Sequence, residues 1–134
     1  MRILFIGAGR MGLPIISSWK KGSRHKSIDI HLVEKLEANI NKIKKENIKV
    51  NFYKKIPKKW KGDVIFFAVK PQDFKKVAQE INLNNVLFKN IVSIMAGITT
   101  SKIRSHLKTQ TSVTRVMPNL AVEVNLGVNC IFHS

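Results

Sequence analysis

The chain has 134 residues, a length that favours one domain with a core of its own. Its hydrophobic fraction of 44% excludes wholesale disorder, and no apolar run approaches the ~20 residues of a membrane span. Lys and Arg total 24 against 8 Asp and Glu, and the one cysteine, Cys130, excludes an internal disulfide framework and a cysteine-based zinc site. With an apolar N-terminal stretch too short for a signal peptide, these facts predict a cytoplasmic protein with no membrane partner.

The formal net charge of +16 has two interpretations. A basic surface is typical of nucleic-acid binding. Here, however, lysines far outnumber arginines and crowd between Lys42 and Lys61, where only Glu46 is acidic, with no aromatic platform or RNP-like motif. We therefore favour a solvated lysine-rich surface over a nucleic-acid partner. Such a surface also attracts anionic cofactors.

Apolar and polar segments alternate along the chain as strands and helices do. In chain order, the pattern predicts a strand at 2–6, a helix from 12, a strand at 28–33, a helix at 36–43, strands at 49–52 and 64–69, a helix at 74–81, a strand at 90–94, a helix at 101–107, and strands at 112–116 and 129–132. Between 53 and 62, Pro57 and the lysines indicate a short connection in place of a helix. This alternation predicts an α/β fold with a doubly wound parallel sheet in the order 3-2-1-4-5-6, which the last strand can extend.

The first predicted strand leads directly into a G-x-G-x-x-G sequence, Gly7-Ala8-Gly9-Arg10-Met11-Gly12. In this context Gly7 makes a tight turn, Gly9 lets the backbone approach a pyrophosphate, and Gly12 allows close packing of helix on strand. Pro14 fits if the helix begins near Arg10 or Met11, because the first four N–H groups of a helix have no partner within it. The sequence therefore predicts nucleotide binding at the helix N-terminus, rather than a purely structural glycine turn.

Glu34 ends the second predicted strand, 22 residues after Gly12. This is close to the spacing of the acid that binds the adenosine ribose of NAD. A carboxylate there would repel a 2′-phosphate, whereas Lys35 would attract one. Glu34 can alternatively be a surface residue at the start of the second helix. The predicted cofactor is therefore NADPH or NADH.

Three later segments make the pattern more specific: Phe67-Ala68-Val69-Lys70-Pro71-Gln72, Ser93-Ile94-Met95-Ala96-Gly97-Ile98-Thr99 and Arg115-Val116-Met117-Pro118-Asn119. After the N-terminal glycine loop, in this order and at these spacings, they resemble the Δ1-pyrroline-5-carboxylate reductase family along essentially the whole chain. That family reduces the cyclic imine of pyrroline-5-carboxylate to proline with NAD(P)H, the last step of proline biosynthesis. The resemblance implies that residues 1–134 are an NAD(P)-binding Rossmann domain.

The cofactor site implied by the glycine loop and by the resemblance comprises Ile6, Gly7, Ala8, Gly9, Arg10, Met11, Gly12, Glu34, Lys35, Ala68, Val69, Lys70, Pro71, Met95, Ala96, Gly97, Pro118 and Asn119. In the family, the segment at 68–71 lines the adenosine and ribose. The small residues at 95–97 let the nicotinamide ring lie against the backbone, and residues 118–119 flank it. No catalytic residue is assigned.

The chain departs from the family in two respects. Members commonly continue the last motif as M-P-N-T-P, whereas Leu120 and Ala121 follow Asn119 here. Members are also roughly twice as long, with a helical domain that dimerises and completes the imine substrate pocket. We therefore expect a chain that binds cofactor but is catalytically incomplete alone, with exposed apolar surface near its C-terminus where that domain docks, and a homo-oligomer in the full-length family. The alternatives are a free-standing NAD(P)-binding regulatory module and another Rossmann dehydrogenase of the β-hydroxyacid type.

The remaining candidate groups do not form a recognisable site. The four histidines are scattered without metal-ligand spacing: His25, His31, His106 and His133. The sequence therefore predicts no metal, and no Ser-His-Asp arrangement can be argued either.

Overall fold

The computed structural model describes residues 1–21, 27–118 and 130–134. The strands in this part of the chain are β1 (Arg2–Ile6), β2 (Asp29–Val33), β3 (Asn51–Tyr53), β4 (Val64–Phe67), β5 (Asn90–Ser93), β6 (Val113–Met117) and β7 (Cys130–His133). The α-helices are α1 (Gly12–Lys21), α2 (Glu37–Lys45), α3 (Phe74–Leu83) and α4 (Thr100–Leu107). Among the described residues, no helix is both long and apolar enough to cross a membrane.

The strands form one sheet in the order β3-β2-β1-β4-β5-β6-β7. Each neighbouring pair from β3 to β6 is parallel, and β7 runs antiparallel to β6, with Cys130 opposite Met117. The predicted doubly wound order is confirmed, and the final strand does extend the sheet. Its antiparallel direction is new information from the structure.

The sheet is covered on both faces, as the apolar strand sequences require. Along β1, Ile3 and Phe5 join a buried cluster with residues of α1 and α2, such as Ile16. Leu4 and Ile6 point to the opposite face and join a cluster with residues of α3 and α4. Because both faces are packed, the carboxyl edge of the parallel strands is where the loops converge.

Several predicted boundaries move by one or two residues. The first helix begins at Gly12, one residue after Met11, and the Leu13 N–H donates to the Gly9 carbonyl at 3.1 Å. Pro14 therefore lies in the first turn, where its missing N–H leaves no bond unmade. The third strand is Asn51–Tyr53 in place of 49–52, and the fourth ends at Phe67 in place of 69. A 3₁₀ turn at Pro71–Asp73 leads into α3. The connection between β3 and β4 contains no helix, as predicted.

Candidate functional site

The glycine loop after β1 is shaped by two close backbone approaches. Gly7 has a φ of +94°, and a Cβ added there would lie 2.7 Å from the Ala68 carbonyl oxygen. A Cβ added at Gly12 would lie 2.5 Å from the Gly7 carbonyl oxygen and 3.2 Å from the Phe5 ring. The geometry therefore requires glycine at both positions, in the turn and packing roles expected from the sequence.

Gly9 lies on the open side of the same loop. A Cβ added there would have no atom within 4 Å, and both Gly9 and Arg10 are exposed. Within the described residues, the backbone N–H groups of Gly9, Arg10 and Met11 donate no hydrogen bond. The turn that leads into α1 thus presents free donors, next to the positive end of the helix dipole, to an open face, which is the arrangement that binds phosphate.

Glu34 lies beside this loop, with its side chain turned inward. Its Oε2 accepts hydrogen bonds from the Ala8 backbone N–H at 2.8 Å and from Asn39 Nδ2 at 3.1 Å. Its Oε1 accepts from the backbone N–H groups of Lys35 at 2.7 Å and Leu36 at 2.8 Å. Glu34 is only 8% exposed, so the alternative of a surface residue is wrong.

The segment after β4 closes the other side of the glycine loop. Ala68 is half-buried and its N–H donates to the Ile6 carbonyl at 2.9 Å. Val69 is also half-buried, and a Cβ added at Gly7 would lie 3.2 Å from its Cγ1. Lys70 and Pro71 are exposed at the start of the 3₁₀ turn. The structure therefore brings Ile6, Ala68 and Val69 against the loop, and leaves the next two residues open to solvent.

A lysine-lined cleft of about 640 Å³ opens next to the end of β2. It is lined by Lys35, Lys54, Lys55, Ile56, Lys58, Lys76, Glu80 and Asn84. Of these residues, the sequence placed only Lys35 in the site, and the lysines between Lys42 and Lys61 were interpreted as a solvated surface. Lys54 and Lys55 reach the carboxyl edge because β3 ends at Tyr53, one residue beyond the predicted end at 52. Lys54 also forms an ion pair with Glu37.

The loop after β5 is more exposed than the glycine loop after β1. Met95 is buried, and its N–H donates to Ser93 Oγ at 3.2 Å. Ala96 and Gly97 are exposed, and a Cβ added at Gly97 would have no atom within 4 Å. Pro118 is half-buried just after β6.

The predicted residue Asn119 lies outside the described residues. Among the described residues, no group of three or more His, Cys, Asp or Glu side chains could hold a metal ion.

Comparison with known proteins gives concordant matches. The model of the family described as "NADP oxidoreductase coenzyme F420-dependent" matches residues 2–97. Pyrroline-5-carboxylate reductases of Staphylococcus haemolyticus and Staphylococcus aureus are 33% and 32% identical to this chain, over 100% of the chain and 50% of each relative. The chain thus spans about half the length of the curated relatives it matches.

Solved structures agree on the fold. The pyrroline-5-carboxylate reductase of Coxiella burnetii has a TM-score of 0.81 at 23% identity, covering 98% of this chain and 49% of that one. The Plasmodium falciparum pyrroline carboxylate reductase with NADP bound has a TM-score of 0.71 at 18% identity, covering 100% and 48%. The fold is that of the NAD(P)-binding Rossmann domain. Because the family model matches well over half of the chain, the chain belongs to the family of coenzyme F420-dependent NADP oxidoreductases, and its curated relatives are pyrroline-5-carboxylate reductases.

Proposed function

We propose that this chain binds NADPH or NADH across the carboxyl edge of the sheet and forms the cofactor half of a reductase that converts 1-pyrroline-5-carboxylate to L-proline. The observation that carries the proposal is the contrast within the glycine loop. A Cβ added at Gly7 or Gly12 would collide with a backbone carbonyl oxygen, whereas a Cβ at Gly9 would enter open space beside free N–H donors. A loop that serves only as a turn has no need of glycine at the open position.

The residues present fit a dinucleotide. The pyrophosphate would lie over Gly9, Arg10 and Met11, where the missing Cβ leaves room and the N–H groups face the ligand. The adenosine end would extend towards Lys35 and the lysine-lined cleft. When bound, the reduced nicotinamide supplies a hydride, and the chain's part is to hold and orient it.

The nicotinamide end would lie at residues 95–97 and 118–119. Ala96 and Gly97 present little side chain there, so a flat ring can approach the backbone. Asn119 is the polar residue proposed to bind the nicotinamide amide. Pro118 would flank the same end of the cofactor.

We further propose that turnover needs residues from outside this chain. The imine carbon must be held and oriented next to the nicotinamide, and its nitrogen needs a proton donor. The described residues nearest that end, Met95, Ala96 and Gly97, offer neither a cation for the substrate carboxylate nor an acid. The chain spans half of its relatives, so the other half is the natural source of both groups.

Titration of the chain with NADPH and with NADH, followed by a proline-forming assay, tests both proposals. We expect saturable binding and no proline until the other half of a pyrroline-5-carboxylate reductase relative is supplied. Failure to bind either cofactor would contradict the cofactor site. Steady turnover by the chain alone would contradict its incompleteness, and binding with no turnover even after complementation would favour a regulatory module.

A further inference from the structure

We infer that Glu34 is a positioning residue that clasps the glycine loop to the start of α2, and that it does not bind the ribose of the cofactor. This inference rests on the proposed dinucleotide site and assigns a different role to the acid at the end of β2. Its consequence is that Glu34 supports both cofactors equally and does not select NADH over NADPH.

The Glu34 carboxylate has no acceptor capacity left. A carboxylate offers about four lone-pair positions. All four are used by donors of the protein: the N–H groups of Ala8, Lys35 and Leu36, and the Asn39 amide. A ribose diol would have to displace some of these bonds. Because Ala8 is buried, displacement of its bond would leave an N–H without an acceptor, which is unfavourable.

The four hydrogen bonds of Glu34 also join two loops that border the proposed pyrophosphate site. Ala8 lies between Gly7, with its positive φ, and the open Gly9. The hydrogen bond from the Ala8 N–H to Glu34 holds the peptide plane between Gly7 and Ala8 in place. This plane sets the direction of the peptide groups that follow it. Free N–H donors are effective for phosphate only when their orientation is set before binding.

The N-terminus of α2 needs a hydrogen-bond acceptor, which its own N-cap residue does not supply. Leu36 occupies the N-cap of α2 and provides no side-chain hydrogen bond. The Glu34 carboxylate accepts the Leu36 N–H instead, and also bonds Asn39 in the first turn. A single buried carboxylate thus stabilises the helix start and the glycine loop together.

The test uses Glu34→Gln, which keeps the side-chain shape but replaces one acceptor oxygen with an NH₂ group facing donors. Two quantities are measured: backbone amide hydrogen exchange at Ala8 without cofactor, and the Kd values of NADPH and NADH. We expect at least tenfold faster exchange at Ala8 with unchanged protection at Phe5 in β1. We also expect both Kd values to rise by the same factor, so that their ratio stays within twofold.

The matched control is Glu46→Gln, which makes the same change of charge at an exposed position at the other end of α2. It should leave Ala8 exchange and both Kd values unchanged. If the loss of one negative charge were itself the cause, Ala8 exchange and both Kd values would change equally in the two variants. That result would overturn the positioning role of Glu34.

Two further outcomes would overturn the inference. A Kd ratio that moves towards NADPH in Glu34→Gln would show that the carboxylate discriminates at the ribose, by contact or by repelling the 2′-phosphate, and unchanged Ala8 exchange would show that no clasp exists. If neither cofactor binds the wild-type chain, the proposed function fails, while the exchange measurement still decides the clasp. If Glu34→Gln does not fold, the Glu34 carboxyl ¹³C resonance of the wild type provides the test: it should stay in place on saturation with NADH, and a shift would overturn the inference.

Discussion

Two loops at the carboxyl edge of the sheet differ in how firmly the protein itself holds them. In the loop after β1, a Cβ at Gly7 or Gly12 would collide with backbone, and Glu34 binds the Ala8 N–H. In the loop after β5, Gly97 has a positive φ of +70° but open space around it. The phosphate end of the proposed site is therefore preformed by contacts within the described chain, whereas the nicotinamide end is open.

The two strands at the open side of the sheet, β6 and β7, also carry exposed apolar side chains. Met117 on β6 is 44% exposed, and Ile131 and Phe132 on β7 are 70% and 59% exposed. This agrees with the exposed apolar surface expected near the C-terminus of the chain. We propose that the second half of the reductase covers this surface, in keeping with the open nicotinamide end.

The largest expected effect is that of Gly12→Ala on stability. The new methyl group would meet the Gly7 carbonyl oxygen at 2.5 Å, so the helix or the loop must move. We expect a loss of about 2–3 kcal/mol in the free energy of unfolding, measured by urea denaturation. Gly9→Ala is the control, since its methyl group enters open space, and it should stay within ~0.5 kcal/mol of the wild type. A Gly12→Ala protein as stable as the wild type would contradict the tight packing of the first loop.

The next effect concerns binding at the open position of the first loop. Gly9→Val places a side chain where the pyrophosphate would approach, and its Cβ would have no other protein atom within 4 Å. We expect the affinity for NADPH and NADH to fall at least tenfold, which corresponds to about 1.4 kcal/mol, while the melting temperature stays near that of the wild type. Calorimetric titration measures the affinity. Unchanged binding in a folded variant would remove the pyrophosphate from this loop.

A smaller effect is expected from Gly97→Ala in the second loop. Here the cost comes from the positive φ alone, because the methyl group meets no atom within 4 Å. We expect a loss of about 1 kcal/mol in the free energy of unfolding, less than that of Gly12→Ala. A loss as large as that of Gly12→Ala would mean that the two loops are held equally firmly.

Thr99→Ala tests the cap that ends the second loop. Thr99 Oγ1 accepts the Lys102 backbone N–H at 3.1 Å at the N-terminus of α4. Its removal should cost about 1 kcal/mol in unfolding free energy. Thr99→Ser keeps the hydroxyl and should lie close to the wild type. Equal losses in the two variants would show that the methyl group, and not the hydrogen bond, stabilises this end of α4.

The fold was largely predictable because its determinants are local. The alternation of apolar strands with helices predicts the doubly wound sheet, and the glycine spacing after β1 predicts the position of the loop. Both patterns lie in short stretches of sequence. The direction of β7 was not predictable, since a four-residue apolar strand has the same pattern in either orientation.

The role of Glu34 was not predictable either, because its partner Ala8 lies 26 residues away and meets it only in the folded sheet. For the same reason, the sequence alone did not distinguish Lys54 from the other surface lysines. Its place beside Lys35 depends on where β3 ends relative to β2.

The most direct test of the preformed phosphate end is an amide NMR titration of the chain with NADPH. We expect saturable shifts of the amide resonances that are largest at Gly9, Arg10 and Met11, with no change at Ile131 and Phe132 on β7. The absence of saturable shifts at the glycine loop, or shifts concentrated on β7, would contradict a preformed phosphate end.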